Sequence, residues 1–503
     1  MAASEPLVPD FLHMHVVMFP LPGTSHIIPA CYLAKKLAAH GLFITFLCPD
    51  NVIDPGRAQL LTQDPNINLV AFPENKFVLE GWSKSESVFD VLIEFAQASL
   101  KLRGPFETFM EELMLTHAAS PICIISDNFL SWTQDIADKY KIPRYILDTS
   151  PAQLVALIFS VRTLKAQGLL PLSSSSSSTL SIPGLAPFPT RDCFSCLLDS
   201  NPKYLQDFFI EQFSRVHEAA GTIINTFYEL EAKTIEALRA SALNPNKIGV
   251  WPVGPLLPSQ LLQPTLVSGT ISQEVGQSID KICMQWLDTR SVSSVLYVSF
   301  GSMFRASVAQ IQEIELGLKA SDQPFLWVLH SPPVSQSSEP ASFCGLPGVS
   351  QSRVSGRGLI LSCWAPQQLI LSHPSTGGFM THCGWNSTLE SITMGVPTIA
   401  APQFGDQRTN CRLMVELLKM GVEAVRGADG IVDRKEVERA VRYVMASKEG
   451  IAMRKRAQEL GDSAKKAVAA GGSSEANLQA FVRHLQSSTS GTCSRLTPEP
   501  ASA

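Results

Sequence analysis

The stretch "HVVMFPLPGTSHIIPACYLAKKLAAHGLFITFLC", residues 15–48, predicts the fold, because it reads as a strand, a helix and a second strand. The apolar runs 15–21 and 42–48 show no polar alternation, which is typical of strands that are covered on both faces in a parallel sheet. The segment between them is amphipathic at helical spacing from Ile27 and closes at Gly41, as helices commonly do. A strand, a crossover helix and a second strand form the repeating unit of α/β folds.

The alternation of strands and helices runs through the first half of the chain and then begins again. Further buried strands are predicted at 121–127 and 143–147, and "SSVLYVSFGS" at 293–302 starts a second series. A Pro- and Gly-rich stretch at 248–258 and a polar stretch after it separate the two halves. We therefore expect two Rossmann-like domains with a ligand cleft between them. The predicted boundaries are 1–255 for the first domain, 256–280 for a linker and 281–470 for the second domain.

Composition excludes several classes of protein. The chain has 503 residues, of which 45% are hydrophobic and 17% charged, as expected for a globular protein of two domains. The formal net charge of −5 gives no reason to expect a nucleic-acid partner. The single CxxC, Cys193 to Cys196, lacks the second pair that a zinc site needs. Without a signal-peptide pattern or an apolar run near the ~20 residues of a membrane span, we expect a cytoplasmic protein with reduced thiols and no integral membrane association.

The densest polar cluster lies in "WAPQQLILSHPSTGGFMTHCGWNSTLESITMGVPTIAAPQFGDQ", residues 364–407. The chain has neither GxGxxG after the first strand nor GxxxxGK[ST]. A nicotinamide-dinucleotide enzyme and a P-loop protein are therefore not indicated. A strand ending at His382, a turn at Gly384 and a following helix make a site for phosphate, because unpaired helix N–H groups point at it. The side chains that can add contacts to a nucleotide are His382, Asn386, Ser387, Glu390 and, by stacking on a base, Trp364.

The same residues have simpler interpretations. Ser387-Thr-Leu-Glu390 is also a helix capping box, and His382 and Cys383 can face the core. Taken alone, the motif favours capping and packing. Further residues of the same stretch favour a nucleotide site; they are Trp364, Gln367, Asp406 and Gln407.

Residues 364–407 resemble, without a gap, the signature box of the plant-type family 1 UDP-sugar glycosyltransferases. Other stretches are similar to that family as well: "HIIPACYLAKKLAAHG", "GVWPVGPLL", "VLYVSFGS" and "GGSSEANLQAFVRHL". The resemblance implies the GT-B fold of class α/β, in which two Rossmann-like domains face each other across a cleft. The acceptor then lies mostly on the first domain and the UDP-sugar mostly on the second. A last helix, 471–488, is implied to cross back to the first domain, and we expect a disordered tail at 489–503.

The resemblance also implies roles for residues on the donor side. Uracil stacks on Trp364 and bonds the Ala365 backbone, and Gln367 and Glu390 hold the ribose. The implied diphosphate contacts are Ser302, His382, Asn386 and Ser387, beside the turn at Gly384. The implied sugar contacts are Asp406, Gln407 and the backbone of Trp385. A Gln at the position of Gln407 usually accompanies UDP-glucose in this family.

Transfer to a hydroxyl group needs a base, because the acceptor loses its proton as it attacks the anomeric carbon. His26 follows the first strand at the lip of the expected cleft, and a His side chain has a suitable pKa of about 6.5. Asp127 ends another strand of the same sheet and can fix the tautomer of His26. From the residues alone, His26 could instead cap a helix and Asp127 an Asx turn. The match of His26 to the family's N-terminal His favours the base.

The residues and the resemblance together predict inverting transfer of glucose from UDP-glucose to a hydroxyl of a small lipophilic acceptor. The family's commonest acceptors imply a phenolic, such as a flavonoid, as first choice. The family's acceptor site implies contacts at Thr24, Phe129 and Thr149, with walls from 79–95. Terpenoid, steroid and hormone acceptors and C-glycosylation stay open. The competing class is a degenerate, non-catalytic UDP-sugar binder; a membrane-anchored animal-type glucuronosyltransferase would need a signal peptide and an anchor. We expect a monomer without cofactor or metal, since a helix N-terminus and His382 can stabilise the leaving UDP.

Overall fold

The computed structural model describes residues 14–50, 52–72, 88–115, 120–175, 177–262, 278–301, 306–329, 353–355 and 357–493. Within these residues the chain forms two seven-stranded sheets, with helices between most of the successive strands. The predicted α/β class with two Rossmann-like halves is confirmed.

The first half builds one parallel sheet and a small hairpin. Its strands are β1 (His15–Phe19), β2 (Phe43–Pro49), β3 (Ile67–Phe72), β4 (Cys123–Asp127), β5 (Arg144–Asp148), β6 (Thr179–Leu180), β7 (Phe188–Pro189), β8 (Gly221–Ile224) and β9 (Gly249–Pro252). Its helices are α1 (Thr24–Ala39), α2 (Pro55–Thr62), α3 (Val88–Lys101), α4 (Arg103–Leu115), α5 (Thr133–Tyr140), α6 (Ala152–Ala166), α7 (Lys203–Ser214) and α8 (Tyr228–Arg239). The sheet order is β3-β2-β1-β4-β5-β8-β9, and β6 pairs with β7 separately.

The second half repeats the architecture. Its strands are β10 (Val295–Ser299), β11 (Phe325–Val328), β12 (Arg353–Ser355), β13 (Gly358–Leu361), β14 (Thr376–Thr381), β15 (Thr398–Ala400) and β16 (Gly421–Glu423). Its helices are α9 (Ser278–Asp288), α10 (Val308–Ser321), α11 (Gln367–Ser372), α12 (Trp385–Met394), α13 (Gln407–Arg412), α14 (Arg434–Ala446), α15 (Lys448–Val468) and α16 (Ser473–Cys493). The sheet order is β12-β13-β11-β10-β14-β15-β16, in which β12 alone is antiparallel to its neighbour.

The central strands are apolar runs because they are covered on both faces. Every residue of β1, β4, β10 and β14 is buried, as parallel sheets require. In each sheet the chain order reverses beside the first strand, which lies between β2 and β4 in one sheet and between β11 and β14 in the other. The crevice at such a reversal, outside the carboxyl ends of the strands, is where α/β folds bind ligands.

The last helix packs on the first half of the molecule. On α16, the ring of Phe481 lies 5.0 Å from Trp251 and 5.1 Å from Tyr145, centroid to centroid. Ser474 donates a hydrogen bond to the Gly254 carbonyl. The helix ends at Cys493, beyond the expected end at 488, so the prediction of a disordered tail from 489 is wrong for its first residues. A polar sequence can extend a helix that is already anchored by packing, because each further residue adds one backbone hydrogen bond without a new nucleation step.

The predicted linker and tail are only partly described. Residues 263–277 of the expected linker 256–280 and residues 494–503 of the tail lie outside the described residues, as does Ser302. A short 3₁₀ turn at Ser259–Leu262 precedes that gap, and α9 follows it.

Candidate active site

His26 lies in the first turn of α1, beside the carboxyl end of β1. The amphipathic pattern predicted the helix from Ile27, but α1 begins at Thr24 after the extended Gly23. Polar residues can occupy the first turn of a helix, because its N–H groups have no partner within the helix. The apolar pattern therefore does not mark the start of α1. His26 therefore sits on a rigid element rather than on a loop.

Parallel pairing of β1 with β4 brings Asp127 to His26 across 101 residues of sequence. His26 Nδ1 lies 2.7 Å from Asp127 Oδ2, and Asp127 Oδ1 accepts a bond from the Phe129 N–H at 2.9 Å. A carboxylate only accepts, so Nδ1 carries the proton and Nε2 is the basic nitrogen. Burial alone would lower the pKa of His26, but the charge and hydrogen bond of Asp127 outweigh it, so the pKa is raised.

A buried arginine holds the Asp127 backbone in place. Arg144 at the start of β5 donates to Ser126 Oγ at 2.7 Å and to the Asp127 carbonyl at 3.0 Å. Burial lowers the pKa of Arg144 to about 10, so the group remains a cation at neutral pH. The sequence analysis missed Arg144, because an Arg in a strand gives no signal of which neighbour it will meet.

His26 and Asp127 line a cavity of about 430 Å³. The three residues expected at the acceptor, Thr24, Phe129 and Thr149, line it too. Thr149 Oγ1 lies 3.2 Å from His26 Nδ1. Eight apolar residues contribute further to the wall: Leu92, Phe95, Leu147, Leu154, Ile158, Phe194, Phe209 and Phe404. Of the expected wall 79–95, only 88–95 is described, and it contributes Leu92 and Phe95.

One carboxyl group in this wall was missed by the sequence analysis. Asp148, at the end of β5, is only 4% exposed and lines the same cavity. It accepts bonds from Ser150 Oγ and, at 3.3 Å, from Asn128 Nδ2. Burial raises the pKa of Asp148 to about 7. Its place at the end of a strand beside β4 was the available signal.

On the opposite side of the cleft, His382 is held between two glycines. A Cβ atom built on Gly301 or on Gly384 would lie 2.6 or 2.4 Å from His382 Nε2, closer than any real contact. Within the described residues, His382 Nδ1 is buried and has no hydrogen-bond partner. Burial lowers the pKa of His382 to about 4, so the ring is neutral at neutral pH. Cys383 beside it is buried in the core at a positive φ of 67°.

The N-terminus of α12 is not capped by the expected box of Ser387 and Glu390. Gly384 is the N-cap of α12, and among the described residues no side chain caps it. Glu390 instead accepts bonds from Gln367 Nε2 at 2.6 Å and Gln368 Nε2 at 2.8 Å. Gln367 Nε2 also reaches Ser387 Oγ at 2.9 Å. The N–H groups at the start of α12 therefore stay available to a ligand.

A second cavity, of about 140 Å³, gathers the residues expected to hold uracil, ribose and diphosphate. Its lining includes Trp364, Ala365, Gln367, His382, Gly384, Trp385, Asn386, Ser387 and Glu390. Trp364 is 57% exposed, so a face of its ring is open. The predicted diphosphate contact Ser302 lies outside the described residues.

Asp406 and Gln407 line the first cavity, with His26, rather than the second. They lie at the start of α13, where Gln407 Oε1 accepts from the N–H of Gln403 and of Phe404. That leaves the Gln407 Nε2 group as the donor. Burial raises the pKa of Asp406, which accepts a bond from Asn410 Nδ2 at 2.7 Å. The residues shared by both cavities are Thr24, Ser25, His382, Gly384, Trp385 and Asn386.

Hydrogen bonds across the cleft join the two halves beside these cavities. Pro29 has no N–H, so the Ser25 carbonyl lacks its partner within α1, and Asn386 Nδ2 donates to it at 2.9 Å. Trp385 Nε1 donates to the Asn225 carbonyl at 2.8 Å. The first bond joins α1, which carries His26, to the first turn of α12, and the second joins the residue after β8 to the same turn.

Known proteins resemble this chain over nearly its whole length. Residues 13–258 match the family described as Glycosyltransferase, N-terminal domain, and residues 251–454 match the family UDP-glucoronosyl and UDP-glucosyl transferase. UDP-glycosyltransferase 72B1 of Arabidopsis thaliana is 33% identical over 464 residues, which cover 90% of this chain and 92% of that protein. Anthocyanin 3'-O-beta-glucosyltransferase of Gentiana triflora is 32% identical, covering 94% of this chain and 98% of that protein.

A solved structure also matches nearly the whole chain. Phytolacca americana UGT2, complexed with UDP-2fluoro-glucose and pterostilbene, superposes with a TM-score of 0.76 at 28% identity and covers 94% of this chain and 100% of that chain. Within the described residues, the helices include none that is both long and apolar enough to span a bilayer. The family matches in both halves, the relatives that cover most of the chain and the solved structure show that the chain belongs to the UDP-glucoronosyl and UDP-glucosyl transferase family, as a plant-type UDP-glycosyltransferase of GT-B fold that transfers sugar to small acceptors.

Proposed function

We propose that this enzyme transfers glucose from UDP-glucose to a hydroxyl group of a small lipophilic acceptor, with inversion at the anomeric carbon. The observation that carries the proposal is the cavity that has His26 and Asp127 on one side and Asp406 and Gln407 on the other. A base on one wall and sugar-binding groups on the opposite wall suit a direct displacement. One displacement at the anomeric carbon inverts its configuration.

His26 is proposed as the general base. Its Nε2 accepts the acceptor proton as the oxygen attacks, and Asp127, 2.7 Å from Nδ1, stabilises the imidazolium that forms. Arg144 keeps Asp127 in position through the Asp127 carbonyl. Thr149, at 3.2 Å from Nδ1, restricts the rotation of the same ring.

The donor is proposed to lie with its nucleotide in the smaller cavity and its sugar in the larger one. Uracil would stack on Trp364 and bond the Ala365 backbone, and the ribose hydroxyls would meet Gln367 and Glu390. Asn386, Ser387, the neutral His382 ring and the first N–H groups of α12 would hold the diphosphate. These dipoles would stabilise the charge on the leaving UDP, so the proposed reaction needs no metal. The amide of Gln407 is the basis for proposing glucose.

A phenolic acceptor such as a flavonoid is supported by the cavity wall. Phe129 packs against His26 at 5.5 Å and against Phe209 at 5.2 Å, centroid to centroid. Flat aromatic rings bind well between such side chains through edge and face contacts. One of the similar proteins is named as an anthocyanin glucosyltransferase. Terpenoid, steroid and hormone acceptors and C-glycosylation are alternatives for the same site, and a cytoplasmic, monomeric enzyme stays a prediction from the sequence.

The test is UDP release from UDP-glucose with a panel of phenols, followed by mass spectrometry of the products. His26→Asn should lose at least about 100-fold in kcat, in line with loss of general base catalysis, while its Kd for UDP stays unchanged. His40→Asn, at the other end of α1, is the matched control. Wild-type turnover in His26→Asn would refute the base. UDP binding without release across the whole panel would favour a non-catalytic UDP-sugar binder.

A further inference from the structure

The larger cavity, which is proposed to hold the acceptor, contains one buried carboxyl group that the proposed reaction does not use. Asp127 is bonded to His26, and Asp406 is assigned to the sugar. Asp148 remains, 4% exposed, in a wall whose neighbours Leu147 and Leu154 are apolar. Burying a carboxyl group beside apolar side chains is costly unless hydrogen bonds compensate. Its presence in the wall therefore calls for a reason.

Helix capping does not supply that reason. Asp148 precedes α6, whose first N–H groups would be its natural partners. Those of Ala152 and Gln153 are already bonded to the Glu231 carboxylate, at 2.8 and 3.0 Å. Glu231 comes from α8 and is also bonded by Thr226 Oγ1 at 2.6 Å. The start of α6 is thus satisfied without Asp148.

Asp148 has unused capacity to accept a hydrogen bond. Its donors within the described residues are the hydroxyl and the backbone N–H of Ser150 and the side-chain amide of Asn128. The Asn128 bond is long, at 3.3 Å. Above its raised pKa of about 7, Asp148 is a carboxylate, which offers about four acceptor positions. One position is therefore left for a donor that enters from the cavity.

The position of Asp148 specifies where that donor must lie. β4 and β5 are neighbours, with Asp127 paired to Leu147, and adjacent strands lie about 4.8 Å apart. The next residue after Asp148, Thr149, is 3.2 Å from the ring of the base. A donor that reaches Asp148 is therefore close to the oxygen that His26 deprotonates. On a flat acceptor, the same ring can carry both groups.

We propose that Asp148 accepts a hydrogen bond from a second hydroxyl group of the acceptor, adjacent to the reacting hydroxyl on the same ring. The preferred substrates are then vicinal diphenols rather than simple phenols. The inference rests on the proposed function, because it takes His26 as the base and a hydroxyl as the nucleophile. It adds the substrate class.

The test uses three coumarins of equal size. Umbelliferone carries one hydroxyl group, whereas esculetin and daphnetin carry a second one on either neighbouring carbon. The specificity ratio is kcat/KM for the better diphenol divided by kcat/KM for umbelliferone. In Asp148→Ala this ratio should fall at least about tenfold, the usual scale of a hydrogen bond to a charged or polar partner in a site. Any effect of Asp148 on the basicity of His26 acts on all three acceptors and cancels in the ratio.

Asp148→Asn keeps the shape of the side chain but removes its charge and replaces one acceptor oxygen by an NH2 donor group. It should therefore lower the ratio in the same direction, by less than Ala does, and it keeps the test valid if the Ala variant folds poorly. Asp207→Asn on the exposed face of α7 is the control and should leave the ratio unchanged. A ratio that stays at the wild-type value in both Asp148 variants overturns the proposal.

The Kd of each coumarin, measured by fluorescence quenching without donor, separates the two proposals. If wild-type enzyme releases no UDP with any of the three compounds, the proposed function fails for phenols, and the ratio of Kd values still decides the role of Asp148. If UDP is released but neither ratio moves, the proposed function stands and the role of Asp148 falls.

Discussion

Gly384→Ala should weaken UDP binding through His382, without any change in the polar groups of the site. A Cβ at this position would lie 2.4 Å from His382 Nε2, whereas ordinary contact begins at 3.4 Å. The imidazole must therefore move by about 1 Å, the difference between these distances. Hydrogen bonds require 2.7–3.2 Å between heavy atoms and weaken steeply when misaligned, so the bond proposed from His382 to the diphosphate would be lost.

The expected size of the effect follows from that single bond. A hydrogen bond to a charged group contributes about 1.5–3 kcal/mol, which corresponds to a roughly 10- to 150-fold rise in the Kd for UDP. Isothermal titration calorimetry measures it. Gly104→Ala, where a Cβ meets nothing within 4 Å, is the matched glycine control and should bind UDP normally.

A double mutant tests the cause. If the alanine acts by displacing His382, then Gly384→Ala combined with His382→Ala should bind UDP about as well as His382→Ala alone, since the two changes are coupled. Wild-type affinity in Gly384→Ala would refute the steric argument. Losses that add in the double mutant would show that Gly384 acts through the backbone instead.

Three further predictions concern the base, the cleft and the fold. Because Asp127 raises the pKa of His26, the imidazole proposed as the base is neutral only above that raised pKa. Asp127→Asn should therefore shift the acid limb of the kcat/KM–pH profile to lower pH and cut kcat at least about 100-fold. An unmoved acid limb would contradict the pairing of Asp127 with His26. Asn386→Ala should lower the free energy of unfolding of the ligand-free enzyme, measured in urea, by about 0.5–1 kcal/mol. In a Pro29→Ala background the same change should lower it almost not at all, because the new N–H of residue 29 bonds the Ser25 carbonyl. Equal losses in both backgrounds would show that Asn386 does not replace the bond that Pro29 removes. Glu231→Ala should destabilise the enzyme by about 2–4 kcal/mol, because it leaves the buried N–H of Ala152 and the part-buried N–H of Gln153 unpaired. Glu236→Ala, on the exposed side of α8, should change urea unfolding little, and similar effects of the two variants would contradict the capping role.

The predicted elements that matched best were those with continuous apolar runs. The strand ending at Thr381 and the helix that follows it could be placed from the sequence, because burial on both faces and glycine turns leave a clear local pattern. Helix ends were less accurate. The start of α1 at Thr24 and the end of α16 at Cys493 depend on neighbouring structure rather than on apolar periodicity.

In the candidate site too, residues of one contiguous stretch could be predicted, whereas contacts between distant parts of the chain could not. The residues proposed to bind the nucleotide lie close together in one stretch, so their spacing and the resemblance to a family could indicate them. The hydrogen bond between His26 and Asp127 spans 101 residues and depends on the pairing of β1 with β4. The alternative of a capping box at 387–390 could be removed only once Glu390 was seen to bond Gln367 and Gln368.

By itself, the sequence determined the α/β class, the two Rossmann-like halves and the family, and it predicted the residues that gather in the smaller cavity, because these depend on local periodicity and on one contiguous motif. Only the tertiary structure decided that Asp148 lines the larger cavity and that Gly301 and Gly384 enclose His382. It also decided that Asn386 replaces the hydrogen bond that Pro29 removes from α1. Each of these contacts joins strands or domains that are far apart in the chain, and no local pattern records which distant side chain will fill a given space.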